Sequence, residues 1–201
     1  MRVSRVQAAE NRETVISAAS RLFREHGFDG IGLKDLMEAA GLTQGAFYKQ
    51  FASKEDLTAH ASRRAFESVS RRWSDAAAEH SNDPLGAVVA FYLSDGHRDE
   101  RMDGCPIVAL GSDAARQTRE VKASFEAGIK AHLELLGRLI GEAGGEEPTG
   151  KAMASLSTMV GALILSRTVN DERLSKRFLQ AAANSVQTTS FTGDAAQEPL
   201  Q

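Results

Sequence analysis

The chain has 201 residues, 42% of them apolar and 25% charged, which is enough for one medium domain or for a small domain joined to a larger one. Its single cysteine, Cys105, excludes an intrachain disulfide and a cysteine-rich zinc site, and fits a reducing, cytoplasmic setting. The N-terminal MRVSRVQAAENRE has no apolar run of signal-peptide length, and the longest apolar run, MVGALIL at 159–165, is far too short to span a bilayer. No metal, cofactor or membrane partner is expected.

The formal charge of −3 is unevenly spread. Residues 1–64 hold 10 Lys/Arg against 8 Asp/Glu, net +2, whereas residues 65–201 hold 14 against 19, net −5. Basic charge is weakly concentrated where a polyanion would have to be approached.

Apolar residues recur at helical spacing almost throughout, and strand alternation and hairpin dipeptides are scarce, so the chain reads as all-α with about nine helices. The first is expected from about Asn11 to His26 on Val15, Ile16, Ala19, Leu22 and Phe23, closed by Gly27. Leu33, Leu36, Met37 and Ala40 define a second, stopped by Gly41; a third begins near Thr43 as N-cap and ends by Phe51. Ser53, followed by Lys54, Glu55 and Asp56, reads as a capping box that opens a long helix through Leu57, Ala61, Phe66 and Trp73. Asn82-Asp83-Pro84 starts a helix carrying Leu85, Val88, Val89, Tyr92 and Leu93. DGHRDERMDG (95–104) reads as a loop, Pro106 opens a short helix to about Arg116, and a long helix runs from about 119 to 142. GEAGGEEP (141–148) is a break, followed by helices at about 149–168 and 171–187. The expected domains are 9–69, 70–188 and a disordered tail at 189–201.

Three helices of this size, the last two separated by a glycine turn, have the dimensions of a helix-turn-helix, whose final helix enters the DNA major groove. In LTQGAFYKQFASKEDL (42–57), Phe47 and Phe51 lie together on one side of the third helix and Gly45, Tyr48 and Lys49 roughly opposite, with Gln44 at the flank. The phenylalanines are expected to lock the helix to Leu22, Phe23, Leu36 and Met37, leaving the polar face for DNA. Lys49 suits phosphate or guanine O6/N7, Gln44 an adenine edge, and Tyr48 and Thr43 phosphate oxygens. Gly45 permits close backbone approach at a cost of about 1 kcal/mol in helix propensity.

The stretch GFDGIGLKDLMEAAGLTQGAFYKQFASKEDL (27–57), preceded by RETVISAASRLFREH, resembles the DNA-binding domain of TetR-type transcriptional repressors. The resemblance implies DNA contacts at Thr43, Gln44, Gly45, Tyr48 and Lys49 and a phosphate contact at Lys54. Two departures stand out: Ile31 and Gly32 replace the Thr or Ser often found at the start of the second helix, with Lys34 placed to compensate, and Gln44 replaces a frequent Lys. It also implies a homodimer on a near-palindromic double-stranded operator, a C-terminal dimerisation and ligand-binding domain, and release by a small-molecule effector.

In that larger half, Leu156, Val160, Leu163 and Ile164 on one helix and Leu174, Phe178, Ala182 and Val186 on the next are the dimer-interface candidates. Phe66, Trp73, Phe91, Tyr92, Met102, Phe125 and Met159, with His97 and Cys105 as polar groups, are the candidates for an effector pocket. Cys105, in MDGCPIVALGS at a helix start with Arg98 and Arg101 nearby in sequence, is also a candidate redox or electrophile sensor. A Cys105 nucleophile with His97 as base would be the enzymatic alternative, but no orienting Asn or Asp is clearly placed for it.

Overall fold

A computed structural model describes residues 5–141 and 150–191. Among these residues the elements are α1 (Arg5–His26), α2 (Leu33–Ala39), a 3-10 turn (Gln44–Lys49), α3 (Lys54–Glu79), α4 (Pro84–Tyr92), α5 (Asp95–Asp99), α6 (Pro106–Ala114), α7 (Arg119–Leu139), α8 (Gly150–Thr168) and α9 (Glu172–Phe191). All nine expected helical segments are present, and the architecture is all-α.

The punctuation follows the chemistry. Gly27 (φ +79°) and Gly41 (φ +70°) occupy the left-handed region that ends α1 and α2. At Gly41 the bonds Gly41 N–H to Glu38 O (2.9 Å) and Leu42 N–H to Met37 O (2.9 Å) form a Schellman-type close. Ser53 Oγ accepts the Asp56 amide at 3.2 Å, while Asp56 Oδ2 accepts the amide of Ala52 at 3.1 Å, so the carboxylate reaches one residue further back than in a standard capping box. Asp83 caps α4 by accepting Gly86 N–H at 2.9 Å, with Pro84 in the first turn.

Four local expectations are corrected. α1 begins by Arg5 rather than Asn11. Part of the expected 95–104 loop is helical, as α5, whose start is supported by Ser94 Oγ accepting the His97 amide at 3.1 Å. The third helix is a six-residue 3-10 turn, and Phe51 lies just beyond it. α9 continues to Phe191, into the stretch expected to be tail. Residues 192–201, and all but Gly141 of the 141–148 break, lie outside the described residues.

The chain divides into two compact units, Met1–Val69 with Glu100–Ile129, and Ser70–Asp99 with Lys130–Gln201. The first unit thus combines the N-terminal segment up to residue 69 with residues 100–129. Its core joins Val15, Ile16, Ala19 and Phe23 of α1, Leu36 and Met37 of α2, and Phe47, Phe51 and Leu57 to Leu110 and Ala114 of α6 and Phe125 of α7. The second unit buries Trp73, Tyr92, His132, Leu136, Met159 and Leu163, with α8 packed along α9.

Candidate nucleic-acid interface

The interface begins with one pair of rings. Phe47, fully buried, stacks on Phe51 with centroids 5.5 Å apart, and Phe51 is 3% exposed. The Arg12 guanidinium of α1 lies 4.8 Å over the Phe51 ring and donates to His60 Nε2 at 2.8 Å. That bond requires a neutral imidazole, and burial, followed by the positive charges of Arg12 and Arg63, holds the His60 pKa below its ordinary value. The turn is thereby fastened from behind by α1 and α3.

Its other side faces outward. Thr43, Gln44, Gly45, Tyr48 and Lys49 are all exposed, Tyr48 to 69%. Tyr48 stands edge-on to Phe47 (5.2 Å, 88°), so the buried ring props the exposed one. Thr43 is the N-cap of the turn but makes no side-chain capping bond. A Cβ built on Gly45 meets nothing within 4 Å, and its φ is not positive. Nothing inside the free protein requires glycine at this position.

The two flanking lysines differ. Lys34 is exposed at the start of α2, 3.7 Å from Glu38. Lys54 is half-buried; its ammonium donates to Ile31 O at 2.8 Å and lies 6.0 Å from the centre of the Phe23 ring. It therefore ties the approach to α2 onto the start of α3, a role that residue spacing alone does not show.

The effector candidates divide between the two units. Phe66, Met102, Cys105 and Phe125 belong to the first unit, where Phe125 packs edge-on to both Phe66 (5.2 Å) and Phe28 (6.4 Å) as core. Trp73, Phe91, Tyr92, His97 and Met159 belong to the second. There Trp73 stacks on His132 (4.4 Å) and meets Tyr92 edge-on (5.4 Å), and His97 Nδ1 donates to Tyr92 O at 2.7 Å. The indole Nε1 of Trp73 is buried with no hydrogen-bond partner among the described residues. Burial pushes the His132 pKa down to about 4, so this ring is neutral at neutral pH. Sequence reasoning misses His132 because no neighbouring residue marks it; its role comes from the ring it stacks against. Phe91 is half-buried, stacks on His97 (5.9 Å) and borders a surface groove with Ala76, Glu79, His80 and Ala87.

Cys105 is the N-cap of α6, as its position suggests, but is completely buried. Of the two arginines expected to support it, Arg98 is engaged in the second unit with Asp95 (3.1 Å), Asp99 (2.7 Å) and Ser175 (3.3 Å).

The dimer candidates also sort by exposure. Leu156, Leu163, Ala182 and Val186 are buried within the second unit, which corrects their assignment to an outward surface. Ile164 (40%) and Leu174 (38%) are exposed, Val160 and Phe178 half-buried, and Met153 (46%) and Leu165 (46%), which periodicity does not mark, extend the apolar face.

A glycine-closed helix pair presenting an exposed Gln-Gly-Tyr-Lys face on a ring-anchored turn defines a helix-turn-helix DNA-binding protein. The family model described as bacterial regulatory proteins, tetR family, matches residues 15–61, the span that builds this interface. The chain is 25% identical over 159 residues to the HTH-type transcriptional regulator LmrA of Bacillus subtilis (strain 168), covering 77% of this chain and 82% of that protein. It is 23% identical over 134 residues to the HTH-type transcriptional repressor NemR of Escherichia coli (strain K12), covering 65% and 67%. The crystal structure of E. coli NemR in its reduced form superposes with a TM-score of 0.74 at 20% identity, over 89% of this chain and 97% of that one. A TetR regulator from Chloroflexus aurantiacus J-10-FL gives 0.74 at 24% identity, over 90% and 96%. Residues 15–61 thus match the DNA-binding domain of the tetR family, and the chain as a whole shares the fold of TetR-type regulators.

Proposed function

We propose that this regulator is a repressor that binds a near-palindromic operator as a homodimer and is released by a small apolar or electrophilic effector. The observation that carries the DNA half of the reading is the two-sided turn: Phe47 is fully buried while Gln44, Gly45, Tyr48 and Lys49 are exposed beside it. Lys49 and Tyr48 would contact phosphates, Gln44 would read an adenine edge, and Gly45 would admit the DNA backbone. Lys34 adds charge at α2, and Lys54 would meet a phosphate with the donors left over from Ile31.

Dimerisation would cover the apolar face made by Met153, Val160, Ile164 and Leu165 of α8 with Leu174 and Phe178 of α9. A twofold dimer sets the two recognition turns about one helical repeat apart, roughly 34–36 Å. The effector would bind in the second unit beside Trp73, Tyr92 and His97, where an aromatic environment with a buried indole N–H favours an apolar molecule carrying one acceptor. Selection from a random DNA pool tests the reading. Two inverted half-sites spaced by about one turn of DNA are expected; recovery of unrelated single-stranded or unselected sequences contradicts it.

A second reading makes Cys105 the sensor. It is favoured by the place of the chain's single thiol as the N-cap of α6. Its complete burial means that the segment must open before reaction. Derepression by quinones, aldehydes or hypochlorite that is unchanged in Cys105→Ser removes this reading.

A further inference from the structure

The DNA-contact face leaves one expensive feature of the first unit unexplained: a guanidinium buried at the far end of α1. The side chain of Arg24 is 1% exposed. Its Nε donates to Ser20 O (2.9 Å) and one terminal nitrogen to Ser20 Oγ (3.3 Å), while the other donates to Gly104 O at 2.8 Å. Asp103 lies 3.7 Å from Arg24, and both of its carboxylate oxygens accept from Nε of Arg21 at 3.1 Å. Two arginines of α1 thus grip residues 103–104, which lead directly into Cys105 and α6.

A buried guanidinium tolerates few alternatives, because removing a partner strands its charge. Moving residues 103–104 away would take Gly104 O and Asp103 together, and α1 would have to rearrange around Arg24. The far end of α6 is tied as well: Asp113 Oδ2 accepts the amide of Phe28, just past α1, at 3.4 Å. α1 in turn supplies Val15, Ile16 and Phe23 to the core that holds Phe47 and Phe51.

We propose that Arg24, with Asp103 as its partner, is a positioning residue that couples residues 103–106 to the DNA-binding conformation of α1, so that opening this segment and binding DNA oppose each other. The coupling is reciprocal: whatever opens the segment weakens DNA binding, and DNA holds the segment shut. No effector needs to be known for this to operate.

Cys105 is the chain's single thiol and is fully buried, which makes it a built-in reporter of opening. The experiment measures the rate at which 5,5′-dithiobis(2-nitrobenzoate) modifies the full-length protein, with and without saturating DNA selected from a random pool. In the wild type, DNA is expected to slow modification at least about fivefold, the low end of ordinary allosteric coupling. In Arg24→Lys, which keeps the charge but removes the fork, and in Asp103→Asn, modification of the free protein speeds up and the protection ratio falls toward one. Asp103 has a side chain 32% exposed, so its variant serves if Arg24→Lys fails to fold. Absence of DNA protection in the wild type, or a ratio unchanged in the variants, overturns the proposal. Either result leaves the effector reading standing, since no effector enters the assay.

Discussion

A Cβ added to Gly45 meets nothing within 4 Å, and the backbone there is not left-handed, so alanine fits the free protein. Gly45→Ala is expected to raise stability by up to about 1 kcal/mol while weakening DNA binding, because the added methyl stands on the face proposed to meet the duplex. Chemical denaturation and fluorescence anisotropy read the two effects separately; tighter binding would contradict the assignment. His132 gives a second residue-scale prediction. Its folded pKa of about 4 lies below the unfolded value of 6.5, so the fold favours the neutral ring. Its contribution is fully present above pH 6.5 and is lost as pH falls toward 4. Between pH 7 and pH 5 this amounts to about 2 kcal/mol. Urea midpoints should show that drop in the wild type and much less of it in His132→Phe, with the remaining slope in the same direction from His60.

At the scale of elements, helical periodicity identifies the segments and glycine places their ends: Gly27 and Gly41 are legible because left-handed backbone selects for that residue. The exposed side of the recognition turn is legible for a similar reason, since Phe47 and Phe51 can serve only one face. Its 3-10 geometry is not, because apolar spacing over six residues does not separate the two helix types. α8 and α9 show the same limit. Each carries more than one apolar stripe, and periodicity does not say which is internal, so it does not separate Leu156, Leu163, Ala182 and Val186 from the residues that remain outside. The corrected face makes its own prediction. Ile164→Glu with Leu165→Glu leaves the monomer folded, because both side chains are more than a third exposed. It is expected to turn the proposed dimer into a monomer by light scattering and to reduce operator affinity to that of a half-site. A dimer that survives the double substitution places the interface elsewhere.

For the whole molecule, sequence order conceals how the chain is shared out. Residues 100–129 pack with the DNA-binding helices through Leu110, Ala114 and Phe125, a long-range arrangement that no local pattern announces. The same non-local pairing places Arg24 against Gly104, separated by 80 residues in sequence. The net charge of −3 is equally uninformative, because DNA binding depends on the few cations on one exposed face rather than on the total. That dependence is the central claim, and the salt dependence of operator binding tests it most directly. Removing a single phosphate-binding cation flattens the slope of log K against log salt by about 0.9. Lys49→Ala, which removes one such cation from each protomer of the proposed dimer, should therefore flatten it by about 1.8. A slope equal to that of the wild type would contradict the account.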